Sequence, residues 1–118
     1  MAKPTIERRA HARFQKSLEV EGTPPNGDAT AMMIASDLSL GGLYCTSTTA
    51  FPEMTRLSVR LNLPGDGERN GPLEIDAVVV REQKLASATG NSRYELALFF
   101  MGMTDPQRER LARFLAQA

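Results

Sequence analysis

RYELALFFMGMTDPQRERLARFLAQA, residues 93–118, changes its period half way along, and that change decides the fold class. From Arg93 to Met101, Tyr94, Leu96, Leu98 and Phe100 share one face, opposite Glu95, Ala97 and Phe99, which is the period-2 mark of a half-buried strand. Past Thr104 the apolar residues are Leu111, Phe114 and Leu115, spaced i, i+3, i+4, and these predict one amphipathic helix of about three turns. Thr104 or Asp105 can cap its first amides, and Pro106 stands where a missing N–H costs nothing. Arg108, Arg110 and Arg113 are left to face water.

Upstream, the same alternation recurs. Strands are predicted at Phe14–Val20, Ala29–Ala35, Gly42–Thr46, Arg56–Leu63 and Leu73–Arg81, before the sixth at Arg93–Met101. In the first, Leu18 and Val20 should point inward. In the fourth, Leu57, Val59, Leu61 and Leu63 alternate cleanly, and in the fifth Ile75, Ala77 and Val79 share a face. GTPPNGD (22–28) and PGDGERNGP (64–72) combine Gly, Pro and Asn, whose backbone limits favour turns. Six short strands and one helix make an all-β chain with a terminal helix, a barrel or a sandwich.

At 118 residues the chain fits one domain, expected over residues 7–118 behind a flexible tail of residues 1–6. Fourteen basic and fourteen acidic side chains cancel, so nothing global draws the protein to nucleic acid or membrane, and any electrostatic function must be local. The single Cys45 excludes an internal disulfide and a cysteine-based zinc site, and the lone His11 removes most catalytic and metal constellations. Asp37 has no evident partner base and Cys45 no histidine at a recognisable spacing, so an enzyme is not expected. MAKPTIERR lacks the apolar core of a signal peptide, and no eighteen apolar residues run together. A cytoplasmic, monomeric protein without membrane insertion is the expectation.

The local charge is ERRAHARF, residues 7–14. Arg9 and Arg13 share a side whether the segment is helical (i, i+4) or extended, and Arg8 stands directly before them. A guanidinium makes paired bonds to phosphate or to the O6/N7 edge of guanine and stacks on flat rings, so a phosphorylated purine is a natural ligand. Solvated decoration, or pairing with Glu7 and Glu19, is the ordinary alternative. Corroboration comes from SDLSLGG, residues 36–42, which holds Asp37, Ser39 and Gly42 as D-x-S-x-x-G. Asp37 can accept from guanine N1 and N2, Ser39 can bond a base or a phosphate, and Gly41 and Gly42 permit positive φ and close approach. Alone, these residues also make an ordinary turn.

R-x-x-x-R at Arg9–Arg13, followed about two dozen residues later by D-x-S-x-x-G at Asp37–Gly42, resembles the PilZ domain, a bacterial receptor for cyclic di-GMP. YELALFF followed by RERLARFL extends the likeness to roughly residues 7–116. The resemblance implies a six-stranded antiparallel β-barrel with a carboxy-terminal helix, and ligand contacts from Arg9, Arg13, Asp37 and Ser39. An arginine at the position of Arg8 goes with a mutually intercalated pair of ligands, so two cyclic di-GMP molecules per chain are expected. Gly42 should serve geometry more than contact. His11 either stacks on a base or points to solvent, and Arg81 can face the ligand if its strand neighbours the arginine segment. With no cofactor and no attached effector, such a chain is expected to act through an unidentified downstream protein or by self-association. Two competing readings are a PilZ-like adaptor that binds no nucleotide and a small barrel for single-stranded nucleic acid. The second lacks a basic groove lined with aromatics.

Overall fold

A computed structural model of the chain describes residues 17–25, 29–64, 71–85 and 92–117. Six strands, β1 (Leu18–Thr23), β2 (Ala31–Leu38), β3 (Gly42–Ser47), β4 (Arg56–Leu61), β5 (Leu73–Leu85) and β6 (Arg93–Met101), close in the order β1-β2-β3-β6-β5-β4. Every neighbouring pair is antiparallel. The barrel, not the sandwich, is therefore the architecture, and closure pairs each of the six described strands on both sides.

Alternation supplies the core. Val20, Met33, Cys45, Val59, Ile75 and Leu96 come one from each strand, and all are buried. Burying a side chain of this kind stabilises by about 1.5–3 kcal/mol, so six strands with one apolar face each can hold the barrel without metal or disulfide. Cys45 belongs to this core, its Sγ 3.7 Å from the Met33 sulfur. Burial pushes its thiol from an ordinary 9.0 up to about 12.

The tail helix α1 (Asp105–Gln117) begins with a reciprocal cap. The Gln107 N–H donates to Thr104 Oγ1 at 3.2 Å, and the Thr104 N–H donates to Gln107 Oε1 at 2.9 Å. Thr104 is thus the cap, with Asp105 and Pro106 in the first turn, where a proline ring meets no carbonyl. Leu111, Phe114 and Leu115 are buried and join the barrel core. The Gln107 side-chain amide donates to the Glu74 carbonyl, fixing the helix near the start of β5. The Arg110 guanidinium likewise donates to the Gly71 carbonyl. Arg110 is therefore half-buried and tied to the segment just before β5, not left to water as its helical position suggested.

Strand ends differ from the sequence expectation in several places: β2 starts at Ala31 and not at Ala29, β3 ends at Ser47 and not at Thr46, and β4 ends at Leu61 and not at Leu63. β1 runs on to Thr23, taking in Gly22 from the expected turn, and its predicted start at Phe14 lies outside the described residues. β2 reaches Leu38, so Asp37 is a strand residue and not part of the junction. β5 continues past Arg81 to Leu85, paired with β6 throughout. The expected tail, residues 1–6, also lies outside the described residues.

The buried thiol gives a pH test. A thiol whose pKa is raised on folding favours the folded state below its unfolded value, near 9, and that contribution is lost as pH rises toward 12. Urea melts should show wild-type stability falling between pH 9 and about 11 more steeply than that of Cys45→Ala. Equal slopes would mean that the thiol ionises in place.

Candidate functional site

Strict alternation would bury Asp37, because Ala31, Met33 and Ala35 all point inward. It does not, because the β2–β3 register slips by one: Ala35 faces Cys45, but Asp37 faces Tyr44. Ser36 is the extra residue of a bulge, which reverses the facing of the residues after it, so Leu38 turns inward and Asp37 outward. β5 repeats the device. Leu73, Ile75, Ala77 and Val79 point inward, Val80 is the extra residue, and Arg81 faces Ala97 instead of entering the core.

The two bulges fall in one cross-strand row. Asp37 faces Tyr44, Tyr44 faces Ala97, and Ala97 faces Arg81, so β2, β3, β6 and β5 each contribute one outward residue. Three strand spacings put the Asp37 and Arg81 backbones about 14 Å apart, with the methyl of Ala97 as a low floor between Tyr44 and Arg81. A groove of about 230 Å³ lies along this row, lined by Asp37, Ser39, Tyr44, Ala97 and Phe99 among others. It is a carboxylate and a hydroxyl beside two aromatic rings, an arrangement suited to a flat ring that donates hydrogen bonds from one edge.

The Ser39–Gly42 turn closes the end of the groove. The Ser39 N–H donates to the Gly42 carbonyl at 2.9 Å, and the Phe100 N–H donates to the Gly41 carbonyl at 3.0 Å, which ties the turn to β6. Ser39 Oγ accepts from the Gly41 N–H at 3.3 Å and lies 3.4 Å from the Gly42 carbonyl, two long bonds that leave it open to a better partner. Gly42 is required for space. A Cβ there would stand 2.0 Å from the Leu98 carbonyl oxygen and 3.2 Å from Phe99 Cα, both backbone atoms of β6. Among the described glycines only Gly71 and Gly102 have positive φ, so close approach is what Gly42 serves.

Asp37, Ser39 and Gly42 are brought together as the spacing suggested, although from a strand and a turn and not from one extended run. Arg8, Arg9, Arg13 and His11 lie outside the described residues. Leu18 pairs with Ala35, one residue short of the Ser36 bulge, so the chain enters β1 next to Asp37. Tyr44 and Phe99 were not singled out from sequence as groove residues. The signal was available, since both stand on the polar side of their strands and are 42% and 55% exposed. Among the described residues no group of three or more His, Cys, Asp or Glu could hold a metal ion. No described helix is long and apolar enough to cross a membrane.

A barrel of this order, closed by a carboxy-terminal helix and carrying a bulge-turned aspartate beside a glycine turn, matches the PilZ domain family model over residues 7–117. The chain belongs to that family. It is similar to the PilZ domain with c-di-GMP of YcgR from Escherichia coli, at 20% identity and a TM-score of 0.66, covering 93% of this chain and 90% of that one. It also resembles K. pneumonia MrkH in its apo state (20% identity, TM-score 0.73), covering 91% of this chain and 48% of MrkH. The PilZ domain of CeSA from a cellulose-synthesizing bacterium matches at 21% identity and a TM-score of 0.59, covering 89% of this chain and 95% of that domain. No curated protein sequence matches.

The glycines separate steric need from turn habit. Gly42→Ala should lower stability by about 1–3 kcal/mol, the range for forcing a methyl into filled space. Gly41→Ala, with nothing within 4 Å of the added carbon, should stay within about 0.5 kcal/mol of wild type. Urea denaturation of the two variants checks this, and equal losses would contradict it.

Proposed function

We propose that this chain is a cyclic di-GMP receptor whose ligand is held between Arg9 and Arg13 of the amino-terminal segment and Asp37 and Ser39 of the groove. The observation that carries the reading is the entry of the chain into β1 opposite Ala35, next to the Ser36 bulge and two residues from the outward-turned Asp37. Arg13 stands five positions before Leu18, an extended reach of roughly 17 Å, which exceeds the length of the Asp37–Arg81 row. An arginine from that segment can therefore reach any part of a ligand lying in the groove.

The chemistry divides between the two sides. Asp37 accepts from guanine N1 and N2, while a guanidinium donates to O6 and N7 or to a phosphate, so a single guanine is read on both edges. The Tyr44 and Phe99 rings supply apolar surface beneath the base. Arg81, at the far end of the row, is a further cation within range of a phosphate. Arg8 adds the charge that a second, intercalated ligand requires, and two cyclic di-GMP molecules per chain is the corresponding stoichiometry. The solved relatives support the ligand class: a YcgR structure and a MrkH structure are both complexes with c-di-GMP.

Fixing six backbone residues costs on the order of 6–12 kcal/mol, and a micromolar affinity leaves about 8 kcal/mol net. Base pairing by arginine and stacking, at ~1–3 kcal/mol each, cover that sum only if several groups act together. Ligand binding thereby becomes a change in the surface next to the groove, which a downstream protein reads. An adaptor that works by protein contact alone is the alternative.

Calorimetric titration with cyclic di-GMP decides between them and counts ligands at the same time. Selective binding over GTP and cyclic di-AMP is expected, weakened about ten- to hundredfold by Arg9→Ala, Arg13→Ala or Asp37→Ala. No heat at high micromolar concentrations would select the adaptor. One ligand per chain would overturn only the role given to Arg8.

A further inference from the structure

The charges of this neutral protein are segregated. Not one residue of β1, β2 or β3 is Lys, Arg or His, although the chain has fourteen Lys and Arg in all. The outward positions of these strands carry three carboxylates, Glu19, Glu21 and Asp37. They also carry the apolar side chains Met32 (56% exposed), Ile34 (45%) and Tyr44 (42%).

These residues form one strip. Met32 and Ile34 are successive outward residues of β2, facing Glu21 and Glu19 on β1. Ile34 faces Thr46 on β3, and Thr46 faces Glu95 on β6. Tyr44, the outward residue of β3 next to Thr46, continues the strip to the ligand groove, where it faces Asp37. From Met32 to Tyr44 the strip runs about 14 Å, the length of two to three helical turns. Carboxylates flank it on both sides. Arg60 on β4, held by Glu74 at 3.1 Å and Glu21 at 3.9 Å, marks where the acidic border ends.

We infer that the outer face of β1–β3 is the docking surface for the downstream partner, and that it takes a basic amphipathic helix of another protein. The apolar stripe of such a helix would cover Met32, Ile34 and Tyr44, with its lysines or arginines against Glu19 and Glu95, while Glu21 keeps its pairing with Arg60. Charge complementarity selects this occupant, because an acidic or purely apolar segment would leave Glu19 and Glu95 facing like charge or losing water unpaired. An exposed methionine adapts to varied apolar partners, which suits a docking strip. The inference rests on the relay reading above. It adds where the partner sits and what chemistry it has, and Tyr44 is the residue shared by the strip and the groove.

The test uses the full chain and two synthetic 18-residue amphipathic helices, one of Leu and Lys and one of Leu and Glu, followed by methyl and amide NMR. The Leu/Lys helix should shift the Met32 and Ile34 methyls and the Glu19 and Glu21 amides, whereas the Leu/Glu helix should not. Ile34→Glu should weaken the Leu/Lys helix at least tenfold. Met32→Glu is the second such variant, and Glu19→Gln should weaken binding roughly two- to fivefold. All three should retain the barrel spectrum and the cyclic di-GMP titration of the unmodified chain. Equal response to both helices, no response to either, or Leu/Lys binding untouched by Ile34→Glu would overturn the inference. Concentration-dependent dimers abolished by Ile34→Glu would overturn it too, assigning the face to a second copy. Failure of the unmodified chain to bind cyclic di-GMP overturns the receptor reading alone and leaves the peptide result standing.

Discussion

The contact on which the site depends is between two backbones. The Leu98 carbonyl of β6 stands where Gly42 would carry a Cβ, and this absence of a side chain lets β3 start flush against β6. The Gly41 carbonyl then meets the Phe100 N–H, the Ser39–Gly42 turn is drawn onto the barrel wall, and the aspartate two residues earlier is carried with it. Any larger residue at Gly42 would push the turn off β6 and open the groove at its closed end.

Two single-residue insertions do the rest. A barrel strand offers a functional group only its outward positions, and by parity both Asp37 and Arg81 belong to the inside. The bulges at Ser36 and Val80 reverse that parity at matching heights on two strands separated by β3 and β6. The same reversal turns Glu82 back toward the interior opposite Leu96, where its Oε2 is buried without a hydrogen-bond partner. An uncompensated polar atom of this kind costs stability, so the barrel gives something up to keep Arg81 outside. The groove is thus a consequence of how the core strands are spaced, and its position next to the entry of β1 is a consequence of barrel closure.

Much of this was legible in the residues themselves. Leu57, Val59 and Leu61, and Leu96, Leu98 and Phe100, alternate without interruption, so β4 and β6 could be placed and faced correctly. Leu111, Phe114 and Leu115 gave the helix its buried side. What alternation hid was the bulges. Ala35 and Leu38 both point inward three positions apart, a spacing no regular strand allows, but three consecutive valines at 78–80 conceal the same slip in β5. Arg110 looks solvent-facing in the sequence because its partner, the Gly71 carbonyl, lies far away along the chain and nothing local announces it. Tyr44 and Phe99 look like ordinary strand residues until the row is assembled. The D-x-S-x-x-G spacing grouped Asp37, Ser39 and Gly42, which line one groove, but it said nothing of which side of the barrel they occupy.

The most direct test is amide and methyl shift mapping of the full chain on adding cyclic di-GMP. The account predicts changes concentrated on Asp37, Ser39, Tyr44, Ala97 and Arg81, together with residues 8–13. Another groove among the described residues, lined by Thr23, Ser58 and Asp76, should stay silent. Shifts centred on that other groove, with the Asp37–Arg81 row unmoved, would contradict it.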